Sequence, residues 1–205
     1  MAIGLINAYS TLNLGDAAIM SAFKRLLSEQ ELLACVPDQK PDLNLGVTFL
    51  PQPPRDCHAY ASVGGDIFNN TREWLLTKAF LHNIKQLRRA PDRTILFGQS
   101  IPRSCHGISF LLLRQCLAKL AAVCVRDVES HNRLRQAGVK ARLSFDAAFT
   151  LEANELALEL ASGRFRALGI EPSLAAVLSV RRFDSHYRHS NEQFLDKMEA
   201  LCKGL

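Results

Sequence analysis

Residues 2–28 read AIGLINAYSTLNLGDAAIMSAFKRLLS, an apolar run followed by an amphipathic one. The run at 2–8 predicts a buried β-strand. Within 15–28, four apolar residues recur at the i, i+4, i+7 and i+8 spacing of a helix that buries one face: Ile19, Phe23, Leu26 and Leu27. A buried strand that leads into such a helix is the repeating unit of an α/β fold.

The same alternation continues along the chain as far as about residue 168. Further strands are predicted at 43–50, 58–63, 93–98, 121–125 and 139–145, and further helices at 71–88, 107–120, 127–136 and 153–167. In the helix at 71–88, Trp74, Leu81 and Ile84 are expected to face inward. Because the strands are almost wholly apolar, both faces of their sheet should be covered, as in parallel sheets. The sequence therefore predicts a doubly wound, mostly parallel, Rossmann-like α/β domain over residues 1–168.

A new pattern begins after Gly169 and Pro172, with a strand predicted at 174–180 and a helix at 190–203. One strand and one helix cannot enclose a core. Residues 169–205 are therefore predicted to be a linker and the first strand–helix unit of a truncated second domain. Apolar surface is expected to be exposed around Val177, Leu178, Phe194 and Leu201. We expect association through this surface and little or no activity from this chain alone.

Composition and charge argue against several classes of protein. The 205-residue chain has a net charge of +5, but its cations are scattered and are not interleaved with aromatic residues as on a nucleic-acid platform. The six cysteines include no C-x-x-C pair, so no metal site is predicted. The apolar stretch 108–125 is interrupted by Arg114, Gln115 and Lys119 and predicts no membrane span. The N-terminus does not resemble a signal peptide, so a cytoplasmic location is expected.

Polar residues and glycines follow five of the predicted strands. In an open parallel sheet, ligands bind beyond the carboxyl ends of the strands. The residues at these positions are Asn13, Gly15 and Asp16 after the first strand, Gly64 and Gly65 after the third, Gly98, Gln99 and Ser100 after the fourth, Arg126 and Asp127 after the fifth, and Asp146 after the sixth. The sequence predicts that they cluster at one edge of the sheet as a ligand site.

Most of these positions also have a purely structural interpretation. Asp16 and Asp127 suit helix N-caps, and Gly64–Gly65 suits a tight turn. Asp146 suits a strand end. Arg126 is different, because a cation directly after a buried strand must be paired or must serve an anion. No G-x-G-x-x-G sequence follows the first strand, which argues against a nicotinamide cofactor. The histidines interpreted as surface or internally bonded residues are His58, His82, His106 and His131.

Six segments resemble motifs of the polysaccharide pyruvyl transferase family. They are Asn13–Ile19 (NLGDAAI), Val63–Phe68 (VGGDIF), Phe97–Ile101 (FGQSI), Val125–Ser130 (VRDVES), Asp146–Phe149 (DAAF) and Leu178–Arg181 (LSVR). Each is short, but their order and spacing also resemble the family, and together they span nearly the whole chain. Three positions depart from the family pattern, because Asp66 and Pro102 replace usual glycines and Ala147 replaces a usual proline.

The resemblance implies a transferase that moves the pyruvyl group of phosphoenolpyruvate onto a sugar of a cell-surface polysaccharide as a ketal, without cofactor or metal. It also implies a GT-B-like pair of Rossmann-like domains with the active site between them. Catalytic roles are expected for Asp16, Arg126 and Asp127, with Arg126 contacting the anionic donor. The residues expected to bind substrates are Asn13, Gly15, Gly64, Gly65, Gly98, Gln99, Ser100 and Asp146.

Two other functions remain open from the sequence. One is half of a GT-B-type glycosyltransferase that uses a nucleotide sugar, because such enzymes share the expected architecture. The other is a non-catalytic remnant of a truncated gene. Binding of phosphoenolpyruvate or of nucleotide sugars would distinguish the two donor classes.

Overall fold

The computed structural model describes residues 1–39, 44–70, 75–174 and 191–203. The chain divides into two units, Met1–Glu152 and Ala153–Leu205. The domain boundary predicted near residue 168 stays a prediction.

A seven-stranded sheet lies at the centre of the first unit. Its strands are β1 (Ala2–Ile6), β2 (Glu31–Ala34), β3 (Thr48–Phe49), β4 (Ala59–Ser62), β5 (Thr94–Gln99), β6 (Ala122–Val125) and β7 (Arg142–Leu143). Their order across the sheet is β3-β2-β1-β4-β5-β6-β7, and every neighbouring pair is parallel. The predicted parallel sheet is confirmed, and all of its strands end at the same edge.

Helices cover both faces of this sheet, which confirms the doubly wound α/β fold. They are α1 (Leu14–Leu26), α2 (Lys78–Leu87), α3 (Gly107–Leu117) and α4 (Val128–Gln136). Adjacent residues of β1, Leu5 and Ile6, belong to two different apolar clusters, and successive strand residues point to opposite faces. Ile19 of α1 packs in the cluster of Leu5, whereas Phe80 of α2 and Leu113 of α3 pack in that of Ile6. None of the helices in the described ranges is long and apolar enough to cross a membrane.

The strand β2 was not predicted. The sequence indicates no strand between the first helix and residue 43, yet Glu31–Ala34 pairs with β1. The predicted strand at 43–50 is reduced to the two residues of β3. β2 buries only Leu32 and Ala34, and so short an alternation does not stand out in a sequence. Its pairing with β1, a tertiary contact, decides that it is a strand.

The phase of two helices was partly wrong. Leu81 of α2 and Leu26 of α1 were expected to face inward, but they are 44% and 51% exposed. Ile84 was predicted correctly, since it is buried within the core. The helix predicted over 71–88 is α2, which begins only at Lys78. Trp74 and its predicted inward orientation lie outside the described residues.

The second unit contains two helices at predicted positions, α5 (Glu155–Ala167) and α6 (Asn191–Lys203). The strand predicted at 174–180 lies outside the described residues except for its first residue, which ends a short 3-10 helix. Leu201 is 47% exposed, as expected. The side chains of Val177, Leu178 and Phe194, which were also expected to be exposed, are outside the described set.

Candidate active site

The predicted strand-end residues meet at the carboxyl edge of the sheet. Gly64 and Gly65 follow β4, Arg126 follows β6, and Asp146 follows β7 by way of a short loop. Asp16 lies in the first turn of α1, the helix after β1. The sequence predicts that these residues cluster, because parallel strands share a carboxyl edge. In the structure they lie at that edge.

Arg126 is held in a fixed orientation at this edge, directly after β6. Its Nε donates to the Ser100 hydroxyl at 2.8 Å, and its Nη1 donates to Asp146 Oδ2 at 2.5 Å. Its Nη2 makes no hydrogen bond among the described residues, and the side chain remains 28% exposed. A guanidinium whose Nε and Nη1 are bonded within the protein can use its unbonded Nη2 to bind an anionic oxygen.

Gly65 lies against this guanidinium. A Cβ at Gly65 would stand 3.4 Å from Arg126 Nη1 and 3.7 Å from Nη2. The missing side chain therefore leaves space beside both terminal nitrogens of the guanidinium, including the unbonded Nη2. A larger residue at this position would occupy the space through which an anion reaches Arg126.

Asp146 positions Arg126. Its Oδ1 accepts a hydrogen bond from the Ala148 N–H at 3.0 Å and caps the 3-10 helix Ala147–Thr150, while its Oδ2 accepts from Arg126. The side chain is only 16% exposed. Both oxygens are thus engaged within the protein, so the structure indicates a positioning role. Direct contact between Asp146 and a substrate stays a prediction.

Asp16 is a carboxylate near Arg126 that is free to act on a ligand. The N-cap of α1 is Asn13, whose side chain accepts from the Gly15 N–H at 2.9 Å, so Asp16 is not the cap. Its carboxylate makes no hydrogen bond within the described ranges. Burial and the nearby Asp146 carboxylate raise the pKa of Asp16 above its usual range, and Arg126 opposes them. Asp16 therefore holds its proton to a higher pH than an ordinary aspartate does.

The contact between α1 and the segment after Asp146 explains why the two carboxylates influence each other. α1 packs against the 3-10 helix Ala147–Thr150. At the other end of α1, Arg25 donates to the Thr150 carbonyl at 2.9 Å and forms an ion pair with Glu152 at 3.0 Å. These contacts hold the 3-10 helix, and with it the preceding Asp146, against α1.

Asp127 is a helix cap, as its structural interpretation suggested. Its Oδ1 accepts from the Ser130 N–H at 2.7 Å, and its Oδ2 accepts from the Ser130 hydroxyl at 2.8 Å. Burial alone would raise the pKa of Asp127, but these two bonds, with Ser100 and Arg126, lower it below its usual range. Asp127 is thus held as an anion that orders α4, and its expected catalytic role stays a prediction.

Replacing Asp127 with Ala is expected to lower the free energy of unfolding by about 0.5–2 kcal/mol, because the first N–H groups of α4 lose their acceptor. Chemical denaturation measures the change. Asp127→Ser is the matched control, since Ser is also a good N-cap and should remain within a few tenths of a kcal/mol of the wild type. A stable Asp127→Ser protein that loses turnover would instead support the catalytic role of Asp127.

A buried chain of polar side chains runs along the same edge and was missed by the sequence analysis. Asn7 Nδ2 donates to the Ser62 hydroxyl at 3.0 Å, and Ser62 donates to Gln99 Oε1 at 3.1 Å. These three side chains are almost wholly buried. Among the described residues, Asn7 Oδ1 and Gln99 Nε2 have no partner. The available signal was the position of Asn7, a polar residue directly after a buried strand.

Gln99 is expected to contact substrate through its backbone amide, and its side chain is internal. Its side chain is 0% exposed and belongs to the buried chain. Its backbone carbonyl accepts from the Arg126 N–H at 3.3 Å, which ties β5 to the start of the Arg126 loop. The expected contact between the backbone amide of Gln99 and a substrate stays a prediction, as do those of Asn13, Gly15 and Ser100.

Two glycines at this edge are required by packing. A Cβ at Gly64 would lie 2.4 Å from the Asn7 carbonyl oxygen and 2.6 Å from Ile67 Cγ2. Gly98 has a φ of +68° and lies under the loop before Asp146, where a Cβ would come within 3.1 Å of the Phe145 carbonyl oxygen. Both glycines therefore let backbone segments approach closely at the edge that carries Arg126. Their expected contacts with substrate remain predictions.

Gly64→Ala is expected to destabilise the protein by about 1–3 kcal/mol, because the backbone carbonyl of Asn7 cannot move aside as a flexible side chain does. Thermal or chemical denaturation measures the loss. Gly163→Ala is the control, since a Cβ there meets nothing within 4 Å and alanine favours the helix α5 that contains it. Equal stability of the two variants would contradict the close approach at Gly64.

Among the described residues, no group of three or more His, Cys, Asp or Glu side chains is placed to hold a metal ion. The cysteines whose side chains are described are all free: Cys35, Cys57, Cys105, Cys116 and Cys124. The chemical groups around Arg126 include the oriented guanidinium, the Asp16 carboxyl with its raised pKa, and backbone amides. This set suits proton transfer next to a bound anion.

No significant match is found among curated proteins or among solved structures. The family model described as polysaccharide pyruvyl transferase matches residues 13–203, which is nearly the whole chain. The matched range contains Asp16, Arg126 and Asp146. The chain therefore belongs to the polysaccharide pyruvyl transferase family.

Proposed function

We propose that this protein transfers the pyruvyl group of phosphoenolpyruvate to two hydroxyls of a sugar in a cell-surface polysaccharide or its cytoplasmic precursor, forming a cyclic ketal. The observation that carries the proposal is that Arg126 and Asp16 lie close enough to influence each other electrostatically. A fixed guanidinium with one free corner lies near a carboxyl whose pKa is raised. A donor that is anionic and must be protonated needs both groups.

The reaction balances without an oxidant or a cofactor. An acid protonates the methylene carbon of phosphoenolpyruvate, which becomes a methyl group and leaves an oxocarbenium-like centre at C2. One sugar hydroxyl adds to C2 and returns a proton to the acid. The bond from C2 to the phosphate oxygen then breaks, phosphate leaves with the electron pair, and the second hydroxyl closes the ketal. The proton of that second hydroxyl leaves with the inorganic phosphate.

Each residue has a role that follows from its surroundings. Arg126 binds the carboxylate or phosphate of the donor through Nη2, and Ser100 and Asp146 hold it in position. Asp16 supplies the proton to the methylene carbon, because its raised pKa keeps the acid form available. Gly65 leaves room for the donor beside the guanidinium.

Calorimetric titration of the purified chain tests the donor. We expect phosphoenolpyruvate to bind and UDP-, GDP- and CMP-sugars not to bind. Binding of a nucleotide sugar without binding of phosphoenolpyruvate would overturn the proposal and favour a glycosyltransferase. The product is tested by proton NMR, since each ketal formed adds one methyl singlet and releases one inorganic phosphate. Release of phosphate without the methyl singlet would contradict pyruvyl transfer.

A further inference from the structure

A cavity opens at the carboxyl edge beyond the ends of β1, β2 and β3. These strands lie on one side of β4, and β6, which Arg126 follows, lies on the other. The volume of the cavity is about 490 Å³, which lies within the range of small-molecule sites. Its walls come from the segments that follow β1, β2 and β3 and from residues along the length of α2. The lining residues are Ala8, Tyr9, Cys35, Val36, Pro37, Pro51, Pro53, Ala79, His82, Asn83 and Gln86.

The lining is suited to an uncharged ligand. The described lining residues include no Asp, Glu, Lys or Arg. Flat apolar surfaces come from the ring of Tyr9 and from the prolines at 37, 51 and 53. Such surfaces pack against the C–H groups of a saturated ring, and a charged ligand would find no counter-ion among them. This cavity therefore differs in kind from the Arg126 edge, which presents a cation.

Two polar groups that line the cavity, the His82 ring and the Tyr9 hydroxyl, can form hydrogen bonds with a ligand. Gln86 Oε1 accepts from the Asn7 N–H at 3.3 Å, so its Nε2 is directed to His82 Nε2 at 2.8 Å. The amide nitrogen can only donate, so His82 Nε2 accepts and the neutral ring carries its proton on Nδ1. Within the described part of the chain, this Nδ1–H and the Tyr9 hydroxyl have no partner. They are positioned as a donor and a donor–acceptor for hydroxyl groups.

The cavity and the Arg126 edge are joined by the buried polar chain. Gln86 contacts Asn7, Asn7 contacts Ser62, and Ser62 contacts Gln99. The residue after Gln99 is Ser100, which holds Arg126. A ligand in the cavity and an anion on Arg126 would therefore lie at the same edge. The residues that contact each of them are linked by the same chain of hydrogen bonds.

We propose that this cavity binds the pyranose ring of a neutral sugar, the acceptor of the transfer. The assignment rests on the proposed function, because it takes the anion at Arg126 to be the donor. The ring packs on Tyr9 and the prolines, and its hydroxyls meet the His82 Nδ1–H and the Tyr9 hydroxyl. The acceptor unit is accordingly a neutral hexose rather than a uronic acid.

Saturation-transfer NMR with methyl glycosides tests this site in the full chain. The probes are the methyl pyranosides of glucose, galactose and mannose, together with methyl glucuronide, whose carboxylate replaces the hydroxymethyl group of the glucoside. We expect at least one neutral pyranoside to receive saturation at its ring C–H groups and to bind better than the glucuronide. Equal or tighter binding of the glucuronide, or binding by none of the neutral pyranosides, would overturn the proposal.

Variants locate the binding in the cavity. Ala79→Trp fills the cavity and should abolish pyranoside binding, while His82→Phe removes one donor and should weaken it about fivefold. Lys85→Ala is the control, because Lys85 is an exposed residue of α2 that does not line the cavity. A melting temperature unchanged in Ala79→Trp shows that the fold is intact. Pyranoside binding unchanged in that variant would place the sugar elsewhere and overturn the proposal.

Donor titration separates this proposal from the proposed function. If phosphoenolpyruvate binds and no pyranoside does, the acceptor cavity is wrong and the donor assignment stands. If pyranosides bind in the cavity and phosphoenolpyruvate does not, the sugar site stands and the pyruvyl donor is wrong. Ala79→Trp should leave the affinity for phosphoenolpyruvate unchanged, because Ala79 is not among the residues that hold Arg126.

Discussion

Replacing Arg126 with Gln is expected to weaken phosphoenolpyruvate binding by about 10- to 100-fold, the loss of one or two charge-assisted hydrogen bonds. Arg126 is the oriented cation at the carboxyl edge, and its Nη2 is the corner left free by Ser100 and Asp146. Glutamine has no charge and cannot offer two parallel donors to a carboxylate or a phosphate. Calorimetric titration measures the change.

Two further variants, Arg126→Lys and Asp146→Asn, show how far phosphoenolpyruvate binding depends on the charge at position 126 and how far on the orientation of the guanidinium. Lys keeps the charge but not the planar fork, so binding should be intermediate between the wild type and Arg126→Gln. Asp146→Asn keeps the charge of Arg126 but has a single accepting oxygen for the two donors, Ala148 N–H and Arg126 Nη1, so the guanidinium loses its orientation and phosphoenolpyruvate affinity should fall. Unchanged affinity in a folded Arg126→Gln protein would rule out Arg126 as the donor contact.

Stability provides a check on the Arg126 variant. Removal of the guanidinium leaves the Asp146 carboxylate, which is 16% exposed, without its cation. Arg126→Gln should therefore also unfold at a lower temperature. The double variant Arg126→Gln with Asp146→Asn removes both charges and should recover stability without recovering donor binding. Recovery of both would mean that the single variant lost affinity through unfolding rather than through the missing contact.

Because the chain alone is expected to have little activity, turnover is compared in its associated form, where Asp16→Asn is expected to lower it by about 10²- to 10⁴-fold, the usual contribution of a positioned acid. Phosphoenolpyruvate affinity should change little, because the amide keeps the shape of the carboxyl and Arg126 is untouched. Phosphate release and calorimetric titration measure the two quantities. A residue that served only to place the donor would change affinity and turnover together, and that result would contradict the role of Asp16 as the acid.

The pH dependence has a definite direction. Burial, assisted by the Asp146 carboxylate, raises the pKa of Asp16 in the folded protein. The acid form is the active one, so turnover should fall as the pH rises through this raised pKa. Asp146→Asn removes one of the two causes, and the falling limb should then move to lower pH. A limb that stays in place in Asp146→Asn would show that another group titrates.

The same raised pKa predicts the effect of Asp16→Asn on stability. A carboxyl whose folded pKa exceeds its unfolded pKa favours folding in its protonated form, and this contribution is lost as the pH rises through the folded pKa. Above its folded pKa, the charged Asp16 therefore destabilises the fold. The amide that replaces it carries no charge, so the Asp16→Asn protein should melt at a higher temperature while being less active. This readout does not depend on turnover.

Much of the site was predictable because its residues directly follow buried strands in the sequence. Polar residues after buried strands are visible in the sequence, and parallel strands bring all their carboxyl ends to one edge. Asp16, Gly65, Arg126 and Asp146 could therefore be grouped without coordinates. The separate functions of Asp16 and Asp127 could not be assigned in this way, because both precede or begin a helix and both suit a cap.

The sequence alone determined the α/β class, the parallel sheet and the membership of its carboxyl edge, because these follow from hydrophobic periodicity and strand order. Only the tertiary structure decided that Glu31–Ala34 is a strand, since a segment of four residues needs its neighbour β1 to define it. It also decided that Asp127 is bound by Ser130 while Asp16 stays free. The free energy of each polar group depends on partners that the chain brings together from distant positions, and those partners exist only after folding.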